Sequence, residues 1–85
     1  MQIQLLFFAA LRERLGVSQE TLHLPSDALT VAAVRRSLVA RGGAWAEALA
    51  EGRSVRVALD HKLVEHDAPL HEGAELAFFP PVTGG

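Results

Sequence analysis

With 85 residues the chain makes one domain, near the lower size at which an apolar core suffices unaided, and a second domain has no room. Cysteine is absent, which excludes disulfides, thiolate metal sites, cysteine nucleophiles and redox pairs. Eight Lys and Arg against ten Asp and Glu give a formal net charge of -2, a weak field that disfavours nucleic acid as a partner.

Gln2 to Phe8 starts with polar and apolar residues in alternation and then turns apolar on both faces, which predicts a central first strand. Ile3, Leu5 and Phe7 share one face, while Leu6 and Phe8 share the other with Gln2 and Gln4. The apolar run from Leu5 to Leu11 ends at Arg12, too short to span a bilayer, and no basic segment precedes it. A cytoplasmic protein with no membrane partner is the expectation. Ala9 to Leu15 predicts a short helix stopped by Gly16, and Gln19 to Leu24 a second strand.

Pro25, Ser26 and Asp27 predict a loop. Thr30 is an N-cap for a helix running to about Arg41, with Gly42 at its stop. Val31, Val34 and Leu38 form the apolar stripe of that helix, leaving Arg35, Arg36 and Arg41 as a solvated face. Trp45 to Leu49 predicts a further helical segment ended by Gly52, with Trp45 in core packing. Ser54 to Leu59 alternates as a strand, Asp60 and His61 turn, and Lys62 to Val64 returns. After a turn at Asp67 to Pro69 and Gly73, Glu75 to Phe79 forms the last strand, stopped by Pro80 and Pro81. This order is that of an α+β fold, with helices crossing one face of a sheet. A β-grasp arrangement, in which the first and last strands lie side by side, fits it.

The most unusual stretch is the ending Phe78-Phe79-Pro80-Pro81-Val82-Thr83-Gly84-Gly85. Two prolines stiffen the exit from the strand, and two residues without Cβ can pass through a channel too narrow for a side chain. The terminal carbonyl carbon stays sterically open. A carboxylate is a poor electrophile until it gains a better leaving group, which adenylation by ATP would supply. Gly-Gly at the end of an arbitrary chain is more often a frayed end; a small cysteine-free domain with no other obvious reactive centre favours the chemical reading.

Leu6-Phe7-Phe8-Ala9, Arg12-Glu13, Gly16, Leu63-Val64, Asp67-Ala68-Pro69-Leu70, Gly73 and Phe78 through Gly85 together resemble the small subunits of molybdopterin synthase, a family of ubiquitin-like sulfur carriers. The resemblance covers essentially the whole chain and implies a β-grasp domain over residues 1 to 79 with a flexible tail over residues 80 to 85. It implies that an activating enzyme adenylates Gly85, that a sulfur donor enzyme converts it to a thiocarboxylate, and that the tail then enters the large subunit. There the sulfur would pass to cyclic pyranopterin monophosphate to build the dithiolene of molybdopterin. By the same resemblance Val82, Thr83 and Gly84 are the inserted tail, and Phe8, Arg12 and Phe79 meet the partner in a heterotetramer. The chain itself would bind no cofactor, ATP being used by the activating partner. Asp60 departs from the family's Asn at that turn.

No three of the histidines are predicted to share a face: His61, His66 and His71 recur every five residues, a spacing that fits neither helix nor strand, so no metal site is expected. No pair of acidic side chains has a spacing suited to general acid-base work. The alternatives are a carrier with the same tail chemistry serving thiamine synthesis or tRNA thiolation, and a noncovalent ubiquitin-like adaptor whose tail is inert.

Overall fold

The computed structural model describes residues 1–25 and 29–81. Its elements are β1 (Gln2–Phe7), α1 (Ala9–Leu15), β2 (Gln19–His23), α2 (Val31–Val39), α3 (Gly43–Leu49), β3 (Arg56–Leu59), β4 (Lys62–Val64) and β5 (Glu75–Phe79). The strands form one mixed sheet in the order β2-β1-β5-β3-β4. β1 and β5 run parallel at its centre, with Leu5 beside Leu76 and Phe7 beside Phe78, and the other neighbours are antiparallel. This is the expected α+β architecture with first and last strands adjacent.

One face of the sheet carries the core. Ile3, Leu5 and Phe7 from β1, Leu76 and Phe78 from β5 and Val57 from β3 are buried against Leu11 of α1, the Val31, Val34 and Leu38 stripe of α2, and Ala48 and Leu49 of α3. Phe7 stacks on Phe78 at 5.7 Å between ring centroids and meets Trp45 edge to face at 5.4 Å. Such pairs add about 0.5–1.5 kcal/mol to the area they bury.

Helix ends follow their residues. Gly16 caps α1 at φ 73, a left-handed value that suits a residue without Cβ. Thr30 caps α2, its Oγ1 accepting from the Ala33 N–H at 3.2 Å. The amides of Val31 and Ala32 donate to the carbonyls of Ala68 and His66, so the loop after β4 satisfies the first turn of α2. The stop expected at Gly42 falls earlier: α2 ends at Val39 with Ala40 as its cap, and Gly42, at φ 80, opens α3 instead. The strand expected from Ser54 begins at Arg56, because the preceding segment is held by a turn, Arg53 N–H to Ala50 carbonyl, and by the side chain of Arg35.

Of the three arginines expected on a solvated face, Arg36 and Arg41 are exposed, whereas Arg35 is half-buried and fully engaged. The Arg35 guanidinium donates to the carbonyls of Leu49, Ala50 and Arg53, each at 2.8 Å, and Nη1 lies 2.9 Å from His66 Nε2. A guanidinium only donates, so His66 Nε2 accepts and the imidazole proton sits on Nδ1. Burial, and then the Arg35 charge, push the His66 pKa down. Arg41 pairs with Glu20 of β2 and lies over the Trp45 ring, 4.5 Å from its centroid. Arg35→Ala is expected to cost about 2 kcal/mol, because three carbonyls and an imidazole lose a charged donor at once. Arg35→Lys should recover less than half of that, since one ammonium cannot reproduce the fork. Urea unfolding midpoints of the two variants check both statements.

Candidate functional site

The face of the sheet opposite the helices is open, and the register states what it displays. Leu6, Ala77, Ala58 and Leu63 lie in one row across β1, β5, β3 and β4. The next row toward the end of β5 holds Phe79 with Arg56 opposite it. Phe8 continues β1 beyond Phe7 and lies beside Phe79, its amide donating to the Phe78 carbonyl at 3.2 Å. The row on the other side is polar, with Thr21, Gln4 and Glu75. The open face is therefore polar toward the start of β1 and apolar toward the end of β5.

Phe8 is fixed from two sides. Its extended backbone, φ -121 and ψ 156, keeps it in strand alternation, so its ring falls on the face opposite Phe7. Its carbonyl accepts from Leu11 and Arg12, which starts α1 and places Arg12 one turn away. Ala9 between them takes φ 53, a left-handed value that costs a residue with a Cβ roughly 1–2 kcal/mol. Phe8 is 47% exposed and Leu63 62%, the two large apolar side chains left most open among the described residues. Phe79 is half-buried and Arg12 exposed.

Of the three residues that the resemblance assigns to the partner interface, Phe8 and Phe79 are thus neighbours at the end of β5, and exposed Arg12 follows one helical turn after Phe8. Phe7 and Phe78, their immediate neighbours, point the other way into the core. Val82, Thr83, Gly84 and Gly85, the last four residues of the tail expected over 80 to 85, lie outside the described residues, as do Ser26 and Asp27 of the expected loop. Pro80 and Pro81 follow β5 and are half-buried. Leu6 falls on the Phe8 face as expected, whereas Ala58, Leu63 and Arg56 were not assigned to this surface from the sequence. The signal lay in the alternation of β3, where Val57 and Leu59 facing inward put Arg56 and Ala58 outward.

At this end the side chains are Phe, Leu, Ala and Arg, which supply apolar area and positive charge but no acid, base or nucleophile near neutral pH. Among the described residues this surface is suited to binding. Among the described residues no group of three or more His, Asp or Glu is placed to hold a metal ion. The histidines are spread over separate contacts, His66 with Arg35, His71 with Asp60 and His61 near Glu75. No helix among the described residues is long and apolar enough to cross a membrane.

Asp60 and His61 both have positive φ and close the two-residue turn between β3 and β4. Asp60 Oδ1 accepts from the Glu75 amide at 3.0 Å, and Oδ2 meets His71 Nε2, whose Nδ1 is 3.0 Å from the Glu72 carbonyl. Both ring nitrogens therefore face acceptors, an arrangement that favours the imidazolium. The bond to Asp60, and then that to Glu72, raise the His71 pKa, while the Glu75 amide, and then His71, lower that of Asp60. The Asp60 contribution is present above its unfolded value, about 3.9, and is lost as pH falls through the lowered folded value. The His71 contribution is full below its unfolded value, about 6.5, and is lost as pH rises through the raised one. The clip is expected to be tightest between those two unfolded values. The thermal midpoint difference between the native chain and His71→Ala, followed against pH, should be largest there and shrink on the alkaline side.

A family model described as the ThiS family matches residues 5–85. The molybdopterin synthase sulfur carrier subunit of Escherichia coli K12 is 43% identical over 83 residues, covering 98% of this chain and 99% of that protein. Among solved structures, SAMP1 from Haloferax volcanii superposes with a TM-score of 0.79 at 26% identity, covering both chains completely. A complex of subunits 1 and 2 of the molybdopterin-converting factor from Helicobacter pylori contains a chain of the same fold, with a TM-score of 0.69, 22% identity and complete coverage of both chains.

Proposed function

The chain belongs to the ThiS family, and we propose that it is the sulfur carrier subunit of molybdopterin synthase. The observation that carries the proposal is an apolar sheet face, Phe8, Phe79, Leu6 and Leu63, gathered at the root of a Gly-Gly tail in a chain 43% identical over nearly its whole length to a relative of that name. In this reading the Gly85 carboxylate attacks the α-phosphorus of ATP on an activating enzyme, pyrophosphate leaves, and an acyl adenylate forms. A sulfur donor enzyme then displaces AMP and leaves a terminal thiocarboxylate. The open face docks on the large subunit, in a heterotetramer, and guides Val82, Thr83 and Gly84 into its channel, where the sulfur passes to cyclic pyranopterin monophosphate. The proposed setting is the cytoplasm. ATP is consumed by the activating partner, and the carrier needs no cofactor of its own.

The domain contributes recognition and delivery, and its partners contribute acid-base groups. This division fits the composition of the open face. Carriers for thiamine synthesis or tRNA thiolation would share the tail, but the 43% identical relative favours the pterin acceptor. Intact mass after incubation with ATP, activating enzyme and a sulfur donor tests the first half, through the exchange of one terminal oxygen for sulfur. Product formed with the large subunit and the pterin precursor tests the second. A loaded chain that passes sulfur to a thiamine or tRNA acceptor and not to the pterin would replace this reading with the alternative.

A further inference from the structure

We infer that Arg56 is a specificity-determining residue of the docking face, steering a carboxylate on the rim of the large subunit toward the Phe8 and Phe79 patch. The inference rests on the sulfur-carrier reading and adds to it a charge that the family resemblance does not supply. Arg56 is the first residue of β3 and lies directly opposite Phe79 in antiparallel register, so the two side chains share the open face about 4.5–5.5 Å apart at Cβ. It is exposed, and no side-chain hydrogen bond or ion pair engages it among the described residues. At the apolar end of the face it is the one charged strand residue among those described, the acidic Glu75 lying back along β5 toward its start.

Arg56 borders the patch from the β3 side, and exposed Arg12 follows Phe8 by one helical turn, its amide donating to the Phe8 carbonyl. The strand residue next to the apolar pair is thus cationic in a chain whose net charge is -2. The complementary surface is an apolar socket with acidic residues at its edge. The recess of about 360 Å³ where β4 parts from β3 is lined by Arg56 and Leu63 but also by Glu65, so the partner carboxylate belongs on the Phe79 side of Arg56. Arg56 cannot reach the reacting carbonyl when the tail is extended, because the segment from Pro80 to Gly85 then spans up to about 20 Å. Its effect falls on encounter and orientation rather than on the sulfur-transfer step.

The test follows association with the synthase large subunit by stopped flow across a range of salt concentrations, for the native chain, Arg56→Glu, Arg56→Gln and Phe79→Asp. Arg56→Glu should slow association about tenfold at low salt and flatten its salt dependence, with Arg56→Gln between. With the sulfur-loaded chain as the varied substrate, KM should rise while kcat holds. An unchanged association rate and salt slope in Arg56→Glu, or a fall in kcat at saturation, overturns the assignment; if that variant does not fold, the same readings on Arg56→Gln decide. Phe79→Asp separates the two levels. Loss of binding there with normal association by Arg56→Glu removes the role of Arg56 and keeps the docking face, whereas normal binding by Phe79→Asp removes both.

Discussion

Removing Gly85, or extending the chain beyond it, is expected to abolish sulfur loading and product formation while leaving thermal stability unchanged. The proposed electrophile is the terminal carbonyl, and a chain without cysteine offers no side chain to take its place. An extension converts the carboxylate into an amide, which has no free oxygen to attack ATP. Stability should not follow, because the last core residue among those described is Phe78. Gly84→Ala should slow transfer without abolishing it, by placing a Cβ in a narrow channel. Intact masses after activation, read beside melting curves, separate the outcomes. Full sulfur transfer by a chain with a blocked terminus would leave the noncovalent adaptor as the better account.

Adjacent residues of β5 are expected to fail in opposite ways. Phe78→Ala opens a cavity beneath Phe7 and Trp45 and should cost about 3–5 kcal/mol. That is a large share of the roughly 5–15 kcal/mol that holds a small domain together. Phe79→Asp should cost the fold only about 1 kcal/mol, because the side chain faces outward and is half-buried. It should weaken assembly with the large subunit by about 2 kcal/mol or more, roughly thirtyfold, through a charge placed where apolar area is to be buried. Phe8→Asp should behave like Phe79→Asp. Unfolding of the free chain by either outward substitution would show that the faces have been assigned the wrong way round.

The alternation of β1 and β5 made these opposite outcomes legible in the sequence, since a period of two allows Phe7 and Phe78 inward only if Phe8 and Phe79 face outward. Gly16 and Thr30 were equally readable, because each satisfies helix-end groups within a few residues of itself. The partners of Arg35 were not readable. Helical periodicity put that side chain off the apolar stripe but could not say that Leu49, Ala50 and Arg53 would cross above it. The same long-range contacts explain why Ser54 and Val55 fall outside β3 despite their strand-like pattern. Arg56 was legible as an outward residue but not as a neighbour of Phe79, which only the pairing of β3 with β5 reveals.

The central position of the parallel pair bears on how the chain matures. Gln4 must find Glu75, so the middle of the sheet closes only after nearly the whole sequence has left the ribosome. Closing such a long loop is slow compared with forming local contacts. A product broken off before β5 leaves β1 with β2 and β3 with β4 as two separate pairs, with no strand to join them and no common core. Such a fragment displays neither the Phe8 and Phe79 patch nor a tail. The strand order thereby acts as a length check on the docking face: a chain that stops before β5 cannot present it, so every molecule that docks has been synthesised at least through Phe79, at the root of the segment to be delivered.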